Sequence, residues 1–355
     1  MAISIQTQPT QECFSSMLGD LVMTIGGTRV VATVTVGSTT LIQETYYPIG
    51  GVVAIRDLTS LVTPCLESVL SDSLVIDLTE ETYDSQTGTY TTTDTETVNS
   101  TVYLCRAELN ALPSEYYAAN YASMLRGRKT TALGRKESIW YYSMLGGETP
   151  QVVAQYCDGG EITQQTFTLQ VQTGAGYHEV DCSPDNYTSP SMTLVRYYVQ
   201  VGSRRQTFVL DHTGQKGSPA LAFRNSFGVF ESIYCLGTES ATHAFDRYAG
   251  DIIGNYRNYR IDETVTHHAD TSPLTPVEQA WAIDLFRSTD VWLLNDAGTK
   301  WKAVAITDSQ VEYDDADNSL VKYTFDYRLS QRNHHIGTVP GLSGIFDATF
   351  DISFE

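Results

Sequence analysis

Two vicinal histidine pairs, His267-His268 and His334-His335, are the first residues in this chain whose types could hold a metal. Neighbouring residues of a strand point to opposite faces, so neither pair converges on one ion, and histidines at strand ends are the expectation. DDADNS, Asp314 to Ser319, spaces its oxygens faintly like a calcium loop, but it has no central glycine and no distal glutamate. A hairpin turn is expected there. GAGYHE, Gly174 to Glu179, lacks the third glycine and the strand-to-helix context of a dinucleotide fold, and no Walker loop, HExxH or G-x-S-x-G occurs. The expectation is therefore a non-enzymatic protein with no catalytic, cofactor-binding or metal residues. Carboxylate pairs carry no sequence signature, which keeps a glycan hydrolase as the least favoured alternative.

Charge is distributed more tellingly. Arg126, Arg128, Lys129, Arg135 and Lys136 fall within eleven positions of a chain whose net charge is −20. Asp77, Glu80, Glu81, Asp84, Asp94 and Glu96 crowd a threonine-rich stretch. Solvated loops explain both clusters, and the sharper expectation is that they are complementary patches between neighbouring subunits, where charge fixes register and orientation. After His335 the chain runs IGTVPGLSGIFDATFDISFE, and Phe346, Phe350 and Phe354 make it apolar enough to add a strand to its own domain or to a neighbour. These eight residues are the interface candidates. The acidic balance repels phosphate backbones and argues against nucleic acid.

Stepping from these residues to the elements that carry them, 41% hydrophobic residues, 22 tyrosines and abundant threonine favour strands in a globular chain of 355 residues. The six cysteines stand singly, without the pairs of a zinc site, and are expected mostly reduced and buried. Neither a signal peptide nor an apolar run of about 20 residues is present, so synthesis in a cytoplasm without membrane insertion is expected. Val30, Ala32, Val34 and Val36 alternate with polar residues, as do Phe167, Leu169 and Val171, and Val321 to Leu329. Gly26-Gly27, Gly50-Gly51, Ser85 to Gly88 and Asp296 to Gly298 read as hairpin turns, hence antiparallel sheet.

The fold class expected is mainly β, with tandem antiparallel β-sandwich-like domains and a single α-helix docked on the C-terminal one. DCSPDNYTSPS, Asp181 to Ser191, is expected to separate a domain at 1–188, carrying an inserted loop or short helical excursion around 110–138, from one at 189–335, with an arm at 336–355. The helix is expected over 275–288: Thr275 caps it, Pro276 opens it, Glu278 completes a capping box, and Val277, Trp281 and Leu285, widened by Ala280 and Phe286, face the sheet.

ALAFRNSFGVFESIYC, the pair around GNYRNYRIDETVTHH, LTPVEQAWAIDLFRSTDVWLLN, AVAITDS and YTFDYRLS follow one another in the second half. In that order they resemble tail structural proteins of phages and prophages of gut bacteria, over residues 190–333 and more weakly in GDLVMTIGG and TLIQETYYPIGGVVAIRD. The chain departs in having Val229-Phe230 after Gly228, where a second glycine or a tryptophan is expected, and in its length beyond His335. The resemblance implies a distal-tail, baseplate or minor-tail protein, made in the host cytoplasm and placed in the virion tail, whose partners are copies of itself in a ring and other tail proteins. The alternative is a receptor- or carbohydrate-binding module presenting Trp140, Tyr141, Tyr142, Trp292 and Trp301 as aromatic platforms to a host surface glycan. Arg224 to Gly228 is expected to be a structural corner, where a strand bends between sheets.

Overall fold

The computed structural model describes residues 2–214, 217–271, 273–310 and 321–330. The fold is mainly β, built as β-sandwich-like layers of antiparallel sheet. Alternation sets the first layer. Val30, Ala32, Val34 and Val36 of the strand Arg29–Val36 are buried, and this strand lies between Thr39–Tyr46 and Ser71–Asp84. Thr89–Tyr103 and then the short Glu12–Phe14, which adds in parallel, complete a five-stranded sheet. Opposite it stand the three strands Ser4–Thr7, Leu21–Thr24 and Val52–Ile55, with helix α1 (Leu58–Leu66) contributing to the same core.

Gly26-Gly27 is not a hairpin turn, contrary to expectation, whereas Gly50-Gly51 makes a tight turn closed by two backbone bonds between Ile49 and Val52, at 2.9 and 3.2 Å. Leu21–Thr24 pairs with Val52–Ile55, so both glycine pairs carry the chain from one sheet to the other. The buried carboxylate of Glu80 holds the first crossing by accepting the amides of Gly26, at 2.9 Å, and of Gly27. Ser85 to Gly88 and Asp296 to Gly298 do close hairpins, with Asp84 paired to Thr89 and Leu294 to Lys300.

The boundary expected at Asp181 to Ser191 falls inside a core. Thr193–Val201 pairs with Gln151–Asp158 across that segment, in a sheet that also holds Glu161–Thr168, Arg204–Leu210 and Arg128–Thr131. The prolines and turn formers make a 3-10 turn, Pro184–Tyr187, that returns the chain to its own sheet. Tyr187 is buried there, its ring 5.2 Å from that of Phe167 and 5.5 Å from that of Tyr197. The Tyr197 hydroxyl donates to the Cys182 carbonyl at 2.7 Å. Residues 110–138 are likewise not an insertion. They supply helix α2 (Pro113–Ala119) and the edge strand Arg128–Thr131, parallel to Arg204–Leu210.

The C-terminal sheet has seven strands, and helix α3 (Pro276–Arg287) docks on it. Both halves of the Thr275/Glu278 capping box form. Trp281 and Leu285 are buried, but Val277 is 39% exposed and Ala280 is also exposed. The inward stripe is instead Glu278, Trp281, Ala282 and Leu285, spaced i, i+3, i+4 and i+7. Glu278 is drawn into it because its carboxylate both closes the cap and accepts the Thr130 amide at 3.2 Å.

An aromatic cluster joins the layers. Phe14, Tyr103, Tyr116, Tyr117 and Phe227 are buried together, with Tyr142 and Tyr177 packed against them. Phe227 stacks on Tyr116 with ring centroids 5.3 Å apart. Phe227 reaches the cluster from the loop between Ala220–Arg224 and Phe230–Tyr234, which are neighbours in one sheet. Arg224 to Gly228 is thus a hairpin turn, not a bend between sheets. Gly228 has φ +79°, and a Cβ there would lie 2.5 Å from Leu104 Cδ2 and 2.7 Å from Leu70 Cδ2. The left-handed backbone requires glycine, and a Cβ would also oblige the ends of Leu104 and Leu70 to shift. Gly228→Ala is expected to lower the unfolding free energy by about 2–4 kcal/mol, read from chemical denaturation; a change below about 0.5 kcal/mol would contradict this packing.

Candidate functional site

Polar residues around α3 form an enclosed set that includes the titratable groups Glu231 and Asp284. Asn225 holds the hairpin turn from within: its Oδ1 accepts the amides of Phe227, at 2.9 Å, and Val229, at 3.3 Å. Its Nδ2 donates to the Ala122 carbonyl at 2.8 Å and to Glu231 Oε2 at 3.1 Å. Ser226 donates to Asp284 of α3 through Oγ, at 2.7 Å, and through its amide, at 3.2 Å. Glu231 also accepts from Trp281 Nε1 at 2.9 Å. The bonds to Ala122, Asp284 and Trp281 tie one segment of the chain to another, which is a structural use of polar groups. Arg224 and Asn225 satisfy backbone groups as a corner requires, Arg224 Nη1 donating to the Glu67 carbonyl at 2.9 Å.

The basic stretch does not form one patch. Lys129 and Arg135 are buried. Lys129 Nζ donates to Glu137 Oε2 at 2.6 Å and to the Ser232 carbonyl at 2.7 Å, so it joins two sheets within the molecule. Alternation along Arg128–Thr131 is the cause, because it sends Lys129 and Thr131 inward and Arg128 outward. Arg126 Nη1 donates to the Ser123 carbonyl at 2.8 Å, and the guanidinium lies 5.2 Å from the Tyr116 ring. Arg128 and Lys136 remain on the surface. Phe346, Phe350 and Phe354, together with His334-His335 and Asp314 to Ser319, lie outside the described residues.

His267 and His268 turn to opposite faces. The His267 ring stacks on Tyr327 with centroids 4.7 Å apart, while His268 Nδ1 lies 2.7 Å from Asp326 Oδ1. Of the aromatic platforms, Tyr141 is buried, Trp140 and Tyr142 pack on the aromatic cluster, and Trp292 is partly buried with its Nε1 donating to Asp290 at 2.6 Å. Trp301 alone of the five is open, at 58% exposure. It lines a cleft of about 820 Å³ with His267, Glu239, Asn295 and Asp296.

The feature the sequence reading did not single out as a site is the long ribbon Glu239–Ile252 paired with Asn255–Asp270. Only His267 to Asp270 pair onward to the strand Thr324–Leu329. From Thr266 outward, among the described residues, the two strands have no ladder partner but each other. At about 3.3 Å per residue the free part reaches roughly 35 Å. Phe245, Tyr248, Tyr256, Tyr259 and Ile261 are each at least 40% exposed along it. The two tyrosines set among Asn and Arg in GNYRNYRI were the available signal. A second hairpin, Ser71–Asp84 with Thr89–Tyr103, carries seven carboxylates and no lysine or arginine. Beyond Thr101 toward the turn, the outer edge of Thr89–Tyr103 has no strand partner among the described residues.

No protein-family model matches the chain, and no curated protein matches it.

Burial pushes the Asp284 carboxyl upward, against the pull of its two bonds from Ser226. A native carboxyl raised above its ordinary value of 3.8 binds its proton more tightly folded than unfolded, so it lowers stability as pH rises from that value through the native one. In Asp284→Asn the amide still pairs with Ser226, and this loss disappears. The expected result, from denaturation between pH 3.5 and 8, is that the variant gains stability relative to the parent as pH rises; parallel curves would contradict it.

Proposed function

We propose that this chain is a non-enzymatic structural component of a phage tail, of the distal-tail, baseplate or minor-tail kind, which assembles with copies of itself into a ring or hub beside other tail proteins. The observation that supports this reading is the free ribbon. A two-stranded hairpin alone is marginal in water, and three or more strands or a packed layer are needed for stability. Here such a hairpin leaves Tyr256 at 80% and Tyr259 at 64% exposure at the end of a sheet otherwise well covered. Surface of this kind marks a protein contact. Repeated contacts between identical chains close most often into symmetric assemblies. On this reading the protein is made in the host cytoplasm and resides in the virion tail.

The cleft beside Trp301 favours a second reading, a module that stacks a host sugar on the indole and hydrogen-bonds it through Asn295 and Asp296. Mass in solution separates the two. Native mass spectrometry and light scattering at low and high salt are expected to give one defined multimer that weakens as salt rises. A monomer at all concentrations that binds a glycan on an array would favour the module instead.

A further inference from the structure

Among the described residues, two edges of this molecule lack a strand partner, and they differ in charge. The outer part of the ribbon, residues 244–262, carries Arg247, Arg257 and Arg260 against Asp246, Asp251 and Asp262, of which Asp262 pairs with Arg260 at 2.6 Å, in a chain of net charge −20. All three arginines are exposed. Two of them lie over rings of the ribbon itself, Arg247 at 5.3 Å from the Phe245 centroid and Arg260 at 5.2 Å from that of Tyr248. Successive residues of a strand alternate, so the Arg247–Phe245 pair and the Arg260–Tyr248 pair lie on opposite faces of the ribbon, each mixing guanidinium and ring. The hairpin 71–103 is acidic throughout: seven carboxylates, no base, and threonine at six of the twelve positions 89–100 of its outer edge. Asp77 and Glu96 are exposed on it.

We infer that the ribbon of one molecule adds along the edge of Thr89–Tyr103 in a second copy, with Arg247, Arg257 and Arg260 set against the carboxylates around Asp77 and Glu96. The inference rests on the reading of the chain as a self-assembling component and names the surfaces that assemble. Main-chain hydrogen bonds between two edges supply the contact, since each edge presents a row of free N–H and C=O groups. The arginines supply register against the carboxylates, and acidic hairpin against acidic hairpin is excluded because it sets like charges together. The two surfaces lie in different parts of the same chain, so the contact is head-to-tail and closes to a ring when the rotation between copies permits. Lys129 and Arg135, buried within their own molecule, have no part in it.

Two charge-reversal variants test this: Arg247→Glu/Arg257→Glu/Arg260→Glu on the ribbon, and Asp77→Lys/Glu96→Lys on the acidic hairpin. All five side chains are exposed, so the thermal transitions are expected to match that of the parent. Each variant alone is expected to self-associate more than about tenfold more weakly in sedimentation, and an equimolar mixture is expected to recover an assembly in which the two alternate. Should a reversed variant fail to fold, Arg247→Gln/Arg257→Gln/Arg260→Gln and Asp77→Asn/Glu96→Gln remove the same charges and are expected to weaken assembly in the same direction. Parent and variants assembling equally well would overturn the ribbon-to-edge contact while leaving self-assembly standing, as would folded variants whose mixture stays dissociated. A parent that is monomeric at every concentration and salt would remove the self-assembly reading itself.

Discussion

A β-ribbon of two strands has two wet faces and two open edges, and nothing within it can bury either. That constraint governs how this molecule is understood. Elsewhere each sheet is answered by a second layer: the five-stranded N-terminal sheet by three strands and α1, the C-terminal sheet by α3. The ribbon 239–270 leaves that protection after His267. Each aromatic side chain along it could bury about 150–250 Å² against a partner, worth several kcal/mol in sum at about 25 cal/mol per Å². Association must overcome about 4–15 kcal/mol of lost freedom, so the aromatics need main-chain pairing and many copies to make a lasting contact.

A projecting ribbon is useful for assembly only if its base is fixed. The base strand is held by His267 on Tyr327 and by His268 beside Asp326. Further in, Phe227 stands in the aromatic cluster with Phe14 from the first layer and Tyr116 from α2, while Ser226 beside it is bonded to Asp284 of α3. One five-residue turn therefore touches the first layer, α2 and α3. The buried carboxylates around it are spent on positioning, and the Lys129–Glu137 pair closes the same junction from the other side.

The sequence was most legible where one face of an element meets one core. Val30 to Val36 and the Thr275 cap could be read directly, because period and capping chemistry are local. Legibility failed where a residue answers to a distant one. Gly26-Gly27 looks like any hairpin turn until Glu80, more than fifty residues on, claims its amides. Pro184 to Tyr187 has the composition of a linker, yet the tyrosine packs on Phe167 and Tyr197, and only the pairing of Gln151–Asp158 with Thr193–Val201 shows that one core spans it. Lys129 reads as a surface base for the same reason: its partner Ser232 lies across the chain. The ribbon itself was visible as a strand pair, but the lack of a third strand beside its outer part among the described residues is a property of the sheet and not of the ribbon's own residues.

Hydrogen exchange at the backbone amides of residues 244–261 and 89–99, followed in the dilute chain and in its assembled form, bears most directly on the central claim. Rapid exchange at both segments in the dilute chain and slow exchange at both on assembly is the expected result. Amides already protected in the dilute chain, or still open in the assembly, would contradict the claim that a second copy completes these edges.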